Sequence, residues 1–71
     1  MKTIPITTEY ITLGQFLKLT RIIGNGGEAK TFLFTNFVTV NGEKEDRRGK
    51  KLRNLDKVSV NGQEYVIKSD V

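Results

Sequence analysis

The sequence predicts an α+β fold in which a two-helix unit packs on a small, mostly antiparallel β-sheet. Three observations predict it. Apolar residues recur at helical spacing between Leu13 and Ile23, a glycine-rich run at 24–27 divides the helical part, and Val-x-Val-Asn-Gly occurs at 38–42 and again at 58–62. Spacing of i, i+3, i+4, i+7 puts one stripe of a helix into a core. Alternation running into Asn-Gly is the strongest short signal for a hairpin turn. At 71 residues the chain is expected to form one domain over 1–71, burying only roughly 60% of its unfolded surface.

Residues 2–11 alternate weakly through Ile4, Ile6, Tyr10 and Ile11 and are read as one or two short strands. Pro5 places the first on a sheet edge, because it has no N–H for a second neighbour. Thr12 is a credible N-cap for a first helix whose stripe is Leu13, Phe16, Leu17, Thr20 and Ile23. Lys18 and Arg21, three apart, share another face. Gly24-Asn25-Gly26-Gly27 is expected to end this helix and turn the chain. The second helix is expected at roughly 27–35: Glu28 suits the positive N-terminal end, Ala29, Phe32 and Leu33 form its buried stripe, and Asn36 takes a left-handed position that stops it. A strand Phe37–Val40 follows, then the Asn41-Gly42 turn. Late in the chain Lys57–Val60, Asn61-Gly62 and Glu64–Lys68 form a second hairpin. Two five-residue copies are hairpin chemistry used twice, short of a repeat architecture.

Charge is distributed unevenly. The chain has 12 basic and 8 acidic residues, a net of +4. Five of the basic residues, Arg47, Arg48, Lys50, Lys51 and Arg53, fall within seven positions, and without them seven basic stand against eight acidic. Close positive groups repel one another, so folding alone does not favour such density; a local cationic loop points to a partner carrying phosphates. Gly49, without a Cβ, would let backbone N–H groups approach an anion, and Gly26 and Gly27 open the second helix with N–H groups that suit one.

Other chemistry is poorly supplied. The sequence contains no cysteine and no histidine, which removes thiolates, the commonest general base and the commonest nitrogen ligand. No catalysis, metal, cofactor or small-molecule substrate is expected. Glu43, Glu45 and Asp46 lack metal-ligand spacing and are expected to pair with the neighbouring basic residues. No apolar run of membrane length and no signal-peptide pattern is present, so a cytoplasmic protein without membrane contact is expected. Phe34 and Phe37 have two readings. They could stack on unpaired bases beside the basic residues, or cover the sheet edge in a core short of apolar side chains; the second is the expectation.

Three segments together carry a family resemblance: Gly26-Gly27-Glu28-Ala29-Lys30, Val38-Thr39-Val40-Asn41-Gly42 and Arg47-Arg48-Gly49-Lys50-Lys51-Leu52. Their order behind a first helix, over about residues 11–60, resembles the RNA-binding domain named after small-subunit ribosomal protein S-four, the alpha-L motif. Within that group the chain is similar to small stand-alone YaaA-like bacterial proteins. It differs in carrying Thr12-Leu13-Gly14 where the family often has Arg-Leu-Asp, Gly26-Gly27 where it often has Ser-Arg, and Leu55-Asp56 for the usual Gly-Asp. The resemblance implies a non-enzymatic, monomeric module on structured RNA, ribosomal RNA or a ribosome precursor, recognised by shape and phosphates more than by base sequence. The RNA-binding set it implies is Lys18, Arg21, Gly27, Lys30, Asn41, Arg47, Arg48, Lys50, Lys51 and Arg53. Two other readings stay open: an adaptor whose basic loop meets an acidic protein, and helix-turn-helix DNA binding. The second helix offers mainly Glu28, Lys30 and Thr31 to read bases, which argues against the latter.

Overall fold

The computed structural model describes residues 1–71. In chain order the elements are β1 (Lys2–Ile6), β2 (Tyr10–Thr12), α1 (Leu13–Leu19), a 3-10 turn (Gly26–Glu28), α2 (Ala29–Thr35), β3 (Val38–Val40), β4 (Glu43–Lys44), β5 (Lys51–Arg53), β6 (Lys57–Val60) and β7 (Gln63–Ser69). Five strands form one sheet in the order β1-β7-β6-β3-β4, and β2 and β5 form a separate two-stranded ribbon. Only β1 and β7 pair in parallel. Pro5 thus lies in an edge strand, as its missing N–H requires.

One apolar core joins helices and sheet. Leu13, Phe16 and Leu17 of α1, Ala29 and Leu33 of α2, Val38, Val40, Val58, Val60 and Ile67 of the sheet, and Leu52 of β5 are all buried in it. Phe16 meets the Tyr65 ring edge-on at 5.2 Å, an arrangement aromatic quadrupoles favour.

The repeated Val-x-Val-Asn-Gly has a structural cause. β3 and β6 run antiparallel with Val38 opposite Val60 and Val40 opposite Val58, so each asparagine stands opposite the start of the other strand. The Asn41 N–H donates to the Lys57 carbonyl (2.7 Å) and the Lys57 N–H to Asn41 Oδ1 (2.9 Å). Asn61 does the same for Phe37, at 2.8 and 3.0 Å. Both asparagines are left-handed, with φ of 51° and 49°, each followed by a glycine at 86° or 91°. That is the backbone a type I′ turn needs and the reason for the Asn-Gly pair.

Both helix ends differ from the expectation. α1 stops at Leu19, well before Gly24, and Ile23 is buried outside the helix. The stop is a Schellman motif: the Ile22 N–H donates to the Leu17 carbonyl and the Arg21 N–H to the Lys18 carbonyl, both at 3.0 Å. Arg21 holds the left-handed position, with φ of 62°, that glycine usually takes. Lys18 and Arg21 therefore do not share a helix face. Gly24, Gly26 and Gly27 all lie outside the left-handed region. Nor is Asn36 left-handed: it is extended (φ −127°, ψ 159°), and its side-chain amide donates to the Phe32 carbonyl at 3.0 Å. A side-chain cap ends α2 where a backbone reversal was expected.

Candidate nucleic-acid interface

The basic segment is a strap tied across the start of α1. The Leu13 N–H donates to the Lys50 carbonyl and the Gly14 N–H to the Arg48 carbonyl, each at 2.8 Å. Helix starts leave such N–H groups without partners; here the strap's backbone supplies them. The Gln15 N–H turns instead to Thr12 Oγ1, while the Gln15 side chain accepts from the Thr12 N–H, a capping box. The last part of the expected loop is in fact a strand: Lys51–Arg53 pairs antiparallel with Tyr10–Thr12. Strand alternation then sends Leu52 into the core, fully buried, and Lys51 and Arg53 outward.

The strap's backbone is consumed and its side chains are left outside. Arg47, Arg48, Lys51 and Arg53 are exposed and Lys50 is half-buried. Lys51 Nζ stands 5.0 Å and Arg53 Cζ 5.3 Å from the centre of the Tyr10 ring, close enough for cation–π attraction. Arg47 is partly spent. Its Nε and Nη2 donate to the two oxygens of Glu45 at 2.9 and 3.0 Å, a bidentate pair. These hydrogen bonds hold the Glu45 carboxyl at about 2 against an ordinary 4.5 and raise the Arg47 guanidinium in turn. Of the acidic cluster, Glu45 is thus the residue that pairs with a basic neighbour.

The strap also meets α2. A Cβ on Gly14 would lie 3.4 Å from the Arg48 carbonyl oxygen and 3.6 Å from Ala29 Cβ, so strap, α1 and the start of α2 converge at this point. Lys18 lies one turn along α1 from Gly14 on the same stripe, and Lys30 follows Ala29 in α2; both are exposed. Lys30, Thr31 and Phe34 share an open groove with Asp46, which leads into the strap.

Two residues of the expected set are engaged elsewhere. The Gly27 N–H donates to Asn25 Oδ1 at 2.9 Å, and Glu28 Oε1 accepts from the N–H groups of Gly24 and Asn25 at 3.2 Å each. The anion position read at the start of the second helix is therefore occupied by the chain's own carboxylate and amide. Asn41 uses its Oδ1 on Lys57 and donates from Nδ2 to Asp56 Oδ1 at 3.1 Å. That carboxylate also accepts from the Arg53 N–H at 2.8 Å, so Asn41 ties the first hairpin to the end of the strap. Arg21 is exposed beyond α1, in the Schellman turn.

The aromatic residues depart from expectation in the other direction. Phe34 is 86% exposed and Phe37 58%; neither covers a core. The helix wheel carried the signal for Phe34, which falls off the Ala29–Leu33 stripe. Tyr10 gained no weight from sequence, because its partners Lys51 and Arg53 lie on β5, about forty residues along the chain; within the first hairpin, Lys44 Nζ is 5.8 Å from the centre of the Phe37 ring.

Comparison with known proteins adds an independent finding. The profile of the S4 domain family matches residues 4–68, nearly the whole chain. The chain belongs to the S4 domain family. Among curated proteins, this S4 chain is similar to a Bacillus subtilis (strain 168) protein named "Probable ribosome maturation protein RlbA", with 54% identity over 59 residues covering 83% of each chain. No solved structure matches it. In this S4 domain the strap, α1 and the start of α2 converge at Gly14, and no helix is long and apolar enough to cross a membrane.

Proposed function

We propose that this protein is a non-enzymatic, monomeric RNA-binding module of the alpha-L type that acts in the cytoplasm on structured ribosomal RNA or a ribosome precursor. The observation that carries the reading is the strap. Its backbone is fixed to α1 at Leu13 and Gly14 while Arg48, Lys51 and Arg53 remain exposed. Charges on a fixed backbone lose little further freedom when they meet phosphates, which favours binding. Lys18 and Lys30 extend the grip over the two helices, and Arg47 joins it to the extent that a phosphate displaces Glu45. Membership of the S4 domain family and similarity to a protein named for ribosome maturation support ribosomal RNA as the target. Asn41 and Gly27 serve the fold and lie outside the proposed contact set.

Titration of the protein against purified ribosomal RNA over a range of salt tests this. With four to six phosphates contacted, log affinity should fall with log salt at a slope of about −3 to −5, taking roughly 0.7–0.9 per contact. Lys30→Ala, and separately Lys50→Ala with Lys51→Ala, should each lower affinity and flatten that slope without changing which RNA is preferred. A flat salt response with no RNA retained at low salt would overturn the reading in favour of an acidic protein partner.

A further inference from the structure

We infer that Phe34 is a stacking platform for one unpaired base of the bound RNA, a guanine by preference, with Asp46 accepting from the base and Lys30 holding its phosphate. The inference rests on the RNA-binding reading above and specifies what that RNA must offer.

Phe34 is the most exposed large apolar side chain of the protein, at 86%, and no part of the fold uses it. Leu33 beside it is fully buried, so α2 needs no apolar residue on the Phe34 side for its own packing. The groove at Phe34 is lined by Lys30, Thr31, Phe34 and Asp46, with a volume of about 440 Å³, within the range of small-ligand clefts. Lys30 precedes Phe34 by four residues and therefore shares its helix face. A flat aromatic face next to a lysine matches the two parts of a nucleotide: the ring stacks on the base, and the ammonium pairs with the phosphate.

Asp46 narrows the choice. An ionised carboxylate only accepts hydrogen bonds, so it repels a phosphate and favours a base edge carrying donors. Guanine alone places two adjacent donors, N1–H and the N2 amino group, on its Watson–Crick edge, matching the two carboxylate oxygens. In a duplex that edge is already paired and both faces are stacked, so the base must come from a bulge, loop or end.

The test uses three RNA hairpins, one fully paired, one with a single bulged guanine and one with a bulged uracil, titrated by fluorescence anisotropy at fixed low salt. Wild-type protein should favour the bulged guanine. Phe34→Ala should weaken that complex by about 5- to 150-fold, the range of one aromatic–base stack, with the salt slope unchanged, while Phe34→Trp retains it. Asp46→Asn should reduce the preference for guanine over uracil. A thermal melt should match wild type for each variant, because the side chains are exposed. If wild type binds all three hairpins alike, or Phe34→Ala matches wild type while Lys50→Ala with Lys51→Ala still weakens binding, the stacking site is refuted and the RNA-binding reading stands. If wild type binds no hairpin at low salt and no ribosomal RNA, both fall. If Phe34→Ala keeps its RNA affinity yet loses retention on ribosomal particles, the patch meets a protein and the stacking site is likewise refuted.

Discussion

The strap at 47–53 and the glycine-rich turn at 24–28 both read as anion sites, and the structure treats them in opposite ways. In the strap the backbone is consumed, by the Leu13 and Gly14 N–H groups of α1, and the charged side chains stay free. In the turn the N–H groups of Gly24, Asn25 and Gly27 are already held by Glu28 and Asn25. A glycine-rich helix start attracts an anion, but a carboxylate placed three residues along the chain satisfies that attraction from within, as a capping box does. No such internal partner serves most of the strap. Glu45 neutralises Arg47 alone, which leaves four basic side chains for an outside ligand.

The largest effect expected from breaking this contrast lies under the strap rather than on it. Leu52→Ala removes a fully buried anchor and should cost on the order of 2–5 kcal/mol in denaturant unfolding, as truncations in a core do. Arg47→Ala with Arg48→Ala should stay within a few tenths of a kcal/mol. If the two results were reversed, the strap would be held by its charges and not by Leu52 and its backbone.

A smaller effect is expected at the turn. Glu28→Ala removes the acceptor for the Gly24 and Asn25 N–H groups and should cost about 1 kcal/mol, in the range of lost caps. The same change deletes a negative charge and opens those N–H groups, so affinity for ribosomal RNA at low salt should rise. Unchanged affinity would mean that the turn lies away from the bound RNA, and that the two regions do not belong to one surface.

The smallest effect concerns Glu45 and Arg47. Hydrogen bonds from Arg47 lower the Glu45 carboxyl from 4.5 to about 2. Because the folded value lies below the unfolded one, the pair's contribution to stability is fully present above about 4.5 and is lost as pH falls through about 2. Carbon-detected NMR of the Glu45 carboxyl should show a midpoint near 2, and Arg47→Ala should return it toward the ordinary value. A midpoint near 4.5 in the wild-type protein would mean that Arg47 is free, adding a fifth unpaired cation to the strap.

Much of this architecture was legible in local pattern. The α1 stripe through Leu13, Phe16 and Leu17, the α2 stripe through Ala29 and Leu33, and both Asn-Gly turns follow from spacing and from which residues tolerate a left-handed backbone. The partner of an unpaired group was not legible. Arg21 and Leu55 both occupy left-handed positions, with φ of 62° and 72°, although neither residue type favours that backbone. Leu55 does so where its N–H is held by the Ile67 carbonyl at 2.7 Å, at the position where relatives of the resembled family usually carry glycine.

The sequence by itself determined the elements, their apolar faces and the concentration of positive charge between Arg47 and Arg53, because each depends on residues a few positions apart. Tertiary structure alone decided that the end of the basic segment is a strand paired with β2, that Asn41 ties the first hairpin to the end of the strap, and that Phe34 shares a groove with Asp46. Each of these depends on a hydrogen bond or an approach between residues distant in sequence, and such partners are chosen only when the chain closes on its core.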